Sequence, residues 1–278
     1  MTTEAANAYA LGYTDAEHLR LVRQARLLAP LTERLFRDAG VGTGMRVLDL
    51  GCGMGDVSML AAQIVGPSGR VVGVDRDSRA LSKARTRADL GGFENVTFLQ
   101  SEVENLPRSE LFDAVVGRLI VMFLPDPIAV LKALRALVRP GGVLAFQEAS
   151  WTNQLAQTRH LPLRMKVSLL VHDALQRSGA RTNNELLLYR DFRAAGLPAP
   201  RLRNELLLAD DPETRSWLPD AARTLWPKAA EYGLLDEALG ELDTLPQRLD
   251  AELVAANSFA SCLGLVSAYA RLPATLLT

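Results

Sequence analysis

The run Val47–Asp56, Val-Leu-Asp-Leu-Gly-Cys-Gly-Met-Gly-Asp, constrains the fold of this chain more than any other segment. The mostly apolar residues Met45–Leu50 predict a short buried strand, and the three glycines after it allow a tight turn in which the backbone approaches a bound molecule without a clash from a Cβ atom. The next residues place apolar side chains at helical spacing: Val57, Leu60, Ala61, Ile64 and Val65. A strand, a glycine turn and a helix in this order predict the corner at which a doubly wound sheet approaches a nucleotide.

The spacing of the glycines discriminates between nucleotide cofactors. A dinucleotide fingerprint has the order G-x-G-x-x-G and places a pyrophosphate at the positive end of the helix. Here the order is Gly51-x-Gly53-x-Gly55, and Asp56 follows in the first helical turn, where its carboxylate repels a pyrophosphate. A second predicted strand ends at Asp75, 24 residues after Gly51, where a carboxylate can accept hydrogen bonds from both hydroxyls of a ribose. The pattern favours a ligand with adenosine but no phosphate.

These motifs resemble those of class I S-adenosylmethionine-dependent methyltransferases, in the small-molecule branch of ubiquinone/menaquinone-type and natural-product enzymes. The resemblance covers residues 40–150 with good motifs, and residues 185–208 and 259–271 more loosely. It implies an α/β fold, a Rossmann-like doubly wound seven-stranded sheet with a mainly helical cap. It also implies S-adenosyl-L-methionine as the cofactor.

The resemblance assigns cofactor contacts residue by residue. In the family, the acid at the position of Asp49 sits under the methionine part near its amino group, and Gly51, Gly53 and Asp75 form the turn and the ribose site. A purely structural role for Asp49 or Asp75, in a turn or a helix cap, is the alternative for each acid. Arg118 is expected to meet the cofactor carboxylate or to form an ion pair nearby.

Other expected contacts lie around the adenine and in the N-terminal segment. Arg76 is expected along the adenine face, and Glu102 and Val103 occupy the family segment that holds adenine, with Glu102 standing where the family usually has Asp. Tyr13 and Gln24 belong to a segment similar to one that folds over the cofactor in small-molecule members.

The segment after the fourth predicted strand carries no obvious acid or base. Many relatives that methylate carbon or oxygen have a His pair before Leu-Pro, whereas this chain has Met122-Phe123, which suit an apolar wall. Glu148, at the end of the fifth strand, and His172 are the candidate catalytic bases.

Composition argues against several classes of function. The net charge of −1 and the pI near 6.3 give no support for nucleic-acid or anionic-membrane binding. Two cysteines, Cys52 and Cys262, provide neither a disulfide framework nor metal-ligand spacing, so no metal is expected. The N-terminus lacks the regions of a signal peptide, and Leu253–Ala270, although uncharged, contains polar residues that favour a buried helix end and a strand over a membrane span. A cytoplasmic enzyme is expected, and a homodimer stays open.

Strand and helix patterns alternate over the first half of the chain, as in a parallel sheet. Predicted strands are Arg46–Asp49, Val71–Asp75, Val96–Leu99, Phe112–Gly117, Val143–Gln147, Arg201–Leu208 and Ser261–Tyr269. Pro30 is expected to separate two N-terminal helices, and a helix from Pro127 is expected to include Val138 and stop at Pro140-Gly-Gly142.

The predicted organisation is an N-terminal helical lid and a core with two helical cap insertions. The boundaries are 1–38 for the lid, 39–150 for the cofactor-binding core, 151–181 for a cap segment, 182–211 for a return to the core, 212–257 for a second cap segment and 258–278 for the final strand and tail.

The function expected from the sequence is methyl transfer to a carbon or oxygen of a small apolar or aromatic metabolite of secondary metabolism. The sulfonium cofactor already carries a good leaving group, so the main tasks of the protein are alignment and the exclusion of water. The alternative is a methyltransferase-fold enzyme that catalyses another reaction, such as cyclisation. The glycine spacing and Asp56 argue against a dinucleotide-dependent oxidoreductase, and the pairing of the turn with Asp75 argues against a scaffolding protein.

Overall fold

A computed structural model describes residues 15–102, 105–106 and 111–274, with only the backbone of residues 15 and 16. It contains a seven-stranded sheet in the order β3-β2-β1-β4-β5-β7-β6. The strands are β1 (Arg46–Leu50), β2 (Arg70–Asp75), β3 (Val96–Gln100), β4 (Phe112–Arg118), β5 (Val138–Ser150), β6 (Arg201–Ala209) and β7 (Ala260–Arg271). The predicted Rossmann-like α/β fold is confirmed.

Nine α-helices lie among the described residues. They are α1 (Asp15–Ala39), α2 (Asp56–Val65), α3 (Ser78–Leu90), α4 (Pro127–Arg135), α5 (Trp151–Gln157), α6 (Pro162–Arg177), α7 (Asn184–Ala194), α8 (Pro212–Glu231) and α9 (Leu245–Ala255). None of these described helices is both long and apolar enough to cross a membrane. The uncharged run that ends at Ala270 divides into the end of α9 and most of β7, as the sequence predicts.

Strand β1 lies in the interior of the sheet, between two parallel neighbours. It pairs with β2 on one side and with β4 on the other. Val47 packs in one apolar cluster, whereas Leu48 and Leu50 pack in another, so alternate side chains serve the two faces of the sheet. Burial on both faces explains why β1 is nearly continuously apolar. The carboxyl ends of these strands deliver the glycine turn and the acids to one edge.

Two predicted boundaries are wrong. Helix α1 continues through Pro30, because buried residues on both sides of the proline, Leu28 and Leu31 among them, keep one face of the helix packed. Helix α4 ends at Arg135, and Val138 already begins β5. Val138 pairs with Phe112 of β4, so strand pairing overrides the helical spacing of the apolar residues.

The chain forms two compact units. The sheet unit comprises Leu28–Glu148, Asn184–Asn204 and the described residues from Leu265 onward. The helical unit comprises the described residues up to Leu27, Ala149–Asn183 and Glu205–Gly264.

Candidate active site

The glycine turn after β1 leaves space at one position and is closely packed at two others. Gly51, Gly53 and Gly55 have φ values of 64°, 52° and 81°. A Cβ atom on Gly51 would lie 2.5 Å from Ile120 Cδ1, and one on Gly55 would lie 2.9 Å from Phe98 Cζ. A Cβ atom on Gly53 would meet no atom of the described residues within 4 Å. The turn therefore packs through Gly51 and Gly55 and presents the backbone at Gly53 to open space, as close approach of a ligand requires.

Asp75 fastens this turn to the end of β2. Its Oδ2 accepts a hydrogen bond from the backbone N–H of Gly53 at 2.9 Å, and its Oδ1 accepts one from the N–H of Asp77, also at 2.9 Å. Asp77 in turn caps α3 through Arg79 N. A carboxylate oxygen has more than one acceptor site, so these backbone bonds leave capacity for ribose hydroxyls. Asp75 therefore holds the turn in place, and its contact with a ribose stays a prediction.

Asp49 is a buried acid with one unused oxygen. Its side chain is 1% exposed, and its Oδ2 accepts a hydrogen bond from Ser58 Oγ at 2.6 Å. Its Oδ1 is buried and has no hydrogen-bond partner among the described residues. Burial raises the pKa of Asp49 from 3.8 to about 7, against the opposing effects of Ser58 and Arg118. A buried carboxylate with a free oxygen fits a cationic ligand group such as the ammonium of S-adenosylmethionine.

Arg118 is held at the end of β4 by a chain of buried polar groups. Its Nη1 donates to Thr32 Oγ1 at 3.0 Å, Thr32 donates to Gln147 Oε1 at 2.8 Å, and Gln147 Nε2 donates to Ser267 Oγ at 3.0 Å. Burial lowers the pKa of Arg118, and the charges of Asp56 and Asp49 oppose that shift. Among the described residues Arg118 has no carboxylate in an ion pair, so its position suits an anionic ligand group such as a cofactor carboxylate.

The loop after β4 is fixed by Glu148. Its Oε1 accepts hydrogen bonds from the N–H groups of Ile120 at 3.1 Å and Val121 at 2.9 Å, and its Oε2 accepts one from Met122 N at 3.1 Å. Leu119, at the start of the loop, has a φ of 54°, a left-handed conformation that is unusual for a leucine. A proton on Glu148 would compete with these donors, so the geometry supports a positioning role rather than proton transfer.

For the other residues predicted to lie near the adenine, the structure gives only their exposure and one backbone contact. Arg76 is exposed, and its backbone oxygen accepts a hydrogen bond from Gln100 Nε2 at 3.0 Å. Glu102 is also exposed. Val103 and Tyr13 lie outside the described residues. Their roles at the cofactor stay predictions.

Two predicted residues belong to the helical unit. Gln24 Oε1 accepts hydrogen bonds from Arg20 Nη1 at 2.8 Å and from Trp217 Nε1 at 3.0 Å. His172 Nδ1 lies 2.7 Å from Asp173 Oδ1, and the His172 ring packs edge-on against Trp151 with centroids 5.6 Å apart. Gln24 therefore serves as an acceptor within this unit, and Asp173 orients His172.

Three site residues were not predicted from the sequence. Ser58 binds Asp49, and Thr32 and Gln147 hold Arg118. Ser58 has a weak signal, since a hydroxyl in the first turn of α2 stands close in sequence to the glycine turn. Thr32 and Gln147 meet across 115 residues of sequence, and no local pattern reveals that pairing.

Comparison with known proteins agrees with this geometry. A family model described as a methyltransferase domain matches residues 42–186, more than half of the chain. The chain belongs to this methyltransferase family. The methyltransferase uses S-adenosylmethionine as its cofactor, and the side chains of Asp49, Asp75 and Arg118 fit the charged and hydroxyl groups of that molecule.

Relatives of the methyltransferase act on different small molecules. It is 35% identical over 151 residues to an arsenite methyltransferase of Halobacterium salinarum, a match that covers 54% of this chain and 38% of the relative. It is 35% identical over 119 residues to the aklanonic acid methyltransferase DauC of a Streptomyces species, covering 42% of this chain and 54% of the relative. The chain thus spans about half or less of the length of these relatives.

Among solved structures, the methyltransferase resembles the [4+2]-cyclase SpnF. The TM-score is 0.55 at 21% identity, and the alignment covers 89% of this chain and 81% of the cyclase. Identity this low shows a shared fold and leaves the reaction open.

Proposed function

We propose that this methyltransferase transfers the methyl group of S-adenosylmethionine to a carbon or oxygen of a small apolar or aromatic metabolite. One observation carries the proposal: Ile120 lies so close to Gly51 that a Cβ atom there would be 2.5 Å from its side chain. The residues that follow, Val121 and Met122, are buried and apolar. An aliphatic loop therefore adjoins the cofactor turn, and it favours an apolar acceptor and the exclusion of water.

Positioning is the main catalytic contribution in this proposal. S-adenosylmethionine, when bound, supplies an electrophilic methyl group with its own leaving group. Glu148 holds the loop through three backbone N–H groups. In this proposal it therefore positions the loop and does not act as the base that the sequence suggested. His172, oriented by Asp173, stays the proposed base for removing a proton from the acceptor.

Arsenite is a poorer fit as the acceptor, although a relative is named for it. Soft metal and metalloid ions bind thiolates. The two cysteines of this chain are both buried and free of disulfides. Burial raises the pKa of both thiols, that of Cys262 to about 12, so both stay thiols at neutral pH. The described residues include no group of three or more His, Cys, Asp or Glu that could hold a metal ion.

A role in cytoplasmic secondary metabolism belongs to the same proposal. The aklanonic acid relative supports a natural-product acceptor, and two free cysteines suit a reducing compartment.

The test has two stages. Calorimetric titration with S-adenosylhomocysteine, S-adenosylmethionine and NAD first checks that the sulfur cofactors alone bind. The enzyme is then incubated with S-adenosylmethionine and a panel of phenols, quinols, aromatic acids, aliphatic alcohols, amines and arsenite. The molecular masses of the products are measured by mass spectrometry. Products heavier by one CH2 from the aromatic compounds support the proposal. Methylation of arsenite or of amines alone, or an isomerised product of unchanged mass, contradicts it.

A further inference from the structure

Polar side chains of the sheet unit form a row across neighbouring strands. Arg118 of β4 is paired in register with Gln147 of β5, and Gln147 Nε2 donates to Ser267 Oγ of β7 at 3.0 Å. Two residues earlier on β4 and β5, Val116 and Ala145 pack in the apolar cluster that also contains residues of α1. Side chains two residues apart on a strand share a face. The packing on this face of the sheet therefore changes from apolar to polar toward Arg118.

Helix α1 supplies the remaining member of this polar row, Thr32. Further along the helix, Leu35, Phe36 and Ala39 pack in the apolar cluster. Thr32 is 1% exposed and Gln147 is fully buried. An apolar pair of the same shape is nearly as stable as a buried hydrogen-bonded pair, so stability alone does not require polar residues here.

The hydrogen bonds of the polar row run in one direction. An arginine side chain only donates, so Thr32 Oγ1 accepts from Arg118 Nη1 at 3.0 Å. The single hydroxyl proton of Thr32 points to Gln147 Oε1 at 2.8 Å and to the backbone oxygen of Leu28 at 3.0 Å. Because Gln147 then donates to Ser267, its amide is held with the oxygen toward Thr32. The row therefore restrains one nitrogen of the Arg118 guanidinium.

The polar row restrains Arg118 without neutralising its charge, since its other members are uncharged. The carboxylates of Asp56 and Asp49 act on Arg118 through their charges, but Asp56 is bonded to Arg87 and Asp49 is bonded to Ser58. The other N–H groups of Arg118 have no hydrogen-bond partner among the described residues, and its side chain is only partly buried. A restrained guanidinium with most of its donors unused matches a carboxylate ligand.

We propose that Thr32 and Gln147 are positioning residues for the cofactor, because they hold Arg118 so that it binds the carboxylate of the methionine part of S-adenosylmethionine. Arg118 follows two residues after Val116, which pairs with Asp49, so Arg118 reaches the level of the glycine turn. The buried Oδ1 of Asp49 has no hydrogen-bond partner among the described residues. This edge of the sheet thus offers one negative and one positive group to an amino acid. The proposal does not depend on the identity of the methyl acceptor.

The experiment compares S-adenosylhomocysteine with its decarboxylated analogue, which keeps the adenosine and the ammonium group and lacks only the carboxylate. Calorimetry measures the binding of both ligands to the full chain of the wild type, Arg118→Met, Thr32→Val and Gln147→Met. We expect the wild type to prefer S-adenosylhomocysteine by about tenfold or more, and Arg118→Met to lose most of that preference. Thr32→Val and Gln147→Met should reduce the preference by about threefold to tenfold and leave the affinity for the analogue unchanged.

Two further variants separate positioning from a general loss of stability. Thr32→Ser keeps the hydroxyl group and should keep the preference for S-adenosylhomocysteine. Thr158→Val is the matched control, because Thr158 is also buried and its Oγ1 donates to the backbone oxygen of Gln154 at 3.2 Å, as Thr32 does to that of Leu28. Thr158→Val should lower the melting temperature and keep both affinities.

Three results would overturn the proposal. They are equal binding of the two ligands by the wild type, an unchanged preference in Thr32→Val and Gln147→Met, and an equal loss of affinity for both ligands in these variants. The last result would show a merely structural role, because only a positioning role depends on the ligand carboxylate. If Gln147→Met does not fold, the comparison of Thr32→Val with Thr32→Ser decides. None of these results changes the outcome of the acceptor panel, so a failure here is distinguishable from a failure of the proposed function.

Discussion

Ser58 donates a 2.6 Å hydrogen bond to one oxygen of Asp49 and leaves the other oxygen buried without a partner among the described residues. The described residues therefore provide a hydrogen bond to only one of the two carboxylate oxygens. Burial raises the pKa of Asp49 to about 7. In the contact predicted for Asp49, a ligand ammonium beside the acid would favour the ionised carboxylate. Cofactor binding would then be linked to loss of a proton from Asp49.

The first prediction follows from this linkage. The affinity for S-adenosylhomocysteine should increase about fivefold from pH 6 to pH 7, because the ionised fraction of an acid of pKa about 7 rises by that factor while the ligand amine stays protonated. Calorimetry across this range measures it. Asp49→Asn should bind weakly at both pH values, and an unchanged pH dependence in that variant would contradict the assigned contact.

The same shift predicts the pH dependence of stability. The folded-state pKa of Asp49 is above its unfolded value of 3.8, so the folded state binds the extra proton between about pH 4 and pH 7. The contribution of this residue to the free energy of unfolding therefore falls as the pH rises through that window. Denaturant titrations of the wild type and Asp49→Asn should converge toward pH 4 and diverge toward pH 7, with the variant the more stable at pH 7.

The second prediction concerns Asp75. Asp75→Ala removes the acceptor for Gly53 N–H together with the proposed ribose contact, and the affinity for S-adenosylhomocysteine should fall by about tenfold to a hundredfold. Asp77→Ala is the matched control, because it removes a nearby carboxylate that only caps α3 through Arg79 N. The control should lose about 1 kcal/mol of stability and keep its affinity. Equal affinities in the two variants would rule out the ribose role.

The third prediction couples Gly51 to Ile120. Gly51→Ala should be strongly destabilising, since the new methyl group meets Ile120 and the left-handed backbone conformation adds about 1–2 kcal/mol. In the background of Ile120→Ala the clash is relieved and only the backbone cost remains. A double-mutant cycle of unfolding free energies should give a coupling of about 1 kcal/mol or more. Strict additivity would show that the two side chains do not compete for one space.

The fourth prediction separates the two possible roles of Glu148. Glu148→Gln places an NH2 group against a backbone N–H donor, so it should cost about 1–3 kcal/mol of stability and lower kcat. A positioning role leaves the shape of the pH profile of kcat unchanged, whereas removal of a general base abolishes its acidic limb. Glu94→Gln, at an exposed glutamate, is the control for both measurements.

The sequence predicts the sheet well because its central strands carry a local signal. Burial on both faces makes β1 a nearly continuous apolar run, and the glycines fix where it ends. Pro30 and Val138 mislead because tertiary contacts decide these positions: a packed helix face carries α1 through the proline, and pairing with Phe112 recruits Val138 into β5. The local sequence carries no information about either of these tertiary contacts.

The candidate site likewise contains some residues that the sequence predicts and others that it does not. Asp49, Gly53 and Asp75 lie within or directly after strands, and the sequence places them at one edge of the sheet. The partners that hold Arg118 are set by contacts between residues far apart in the chain.

The division into two units has a consequence for engineering. The chain crosses between them at residues 27–28, 148–149, 183–184, 204–205 and 264–265. Four of these five crossings fall inside α1, β5, β6 or β7, and one falls just before α7. Grafting the helical unit of a relative onto this sheet unit would therefore require splices in the middle of hydrogen-bonded elements. Point substitutions are therefore a better way to alter this scaffold than the exchange of whole units.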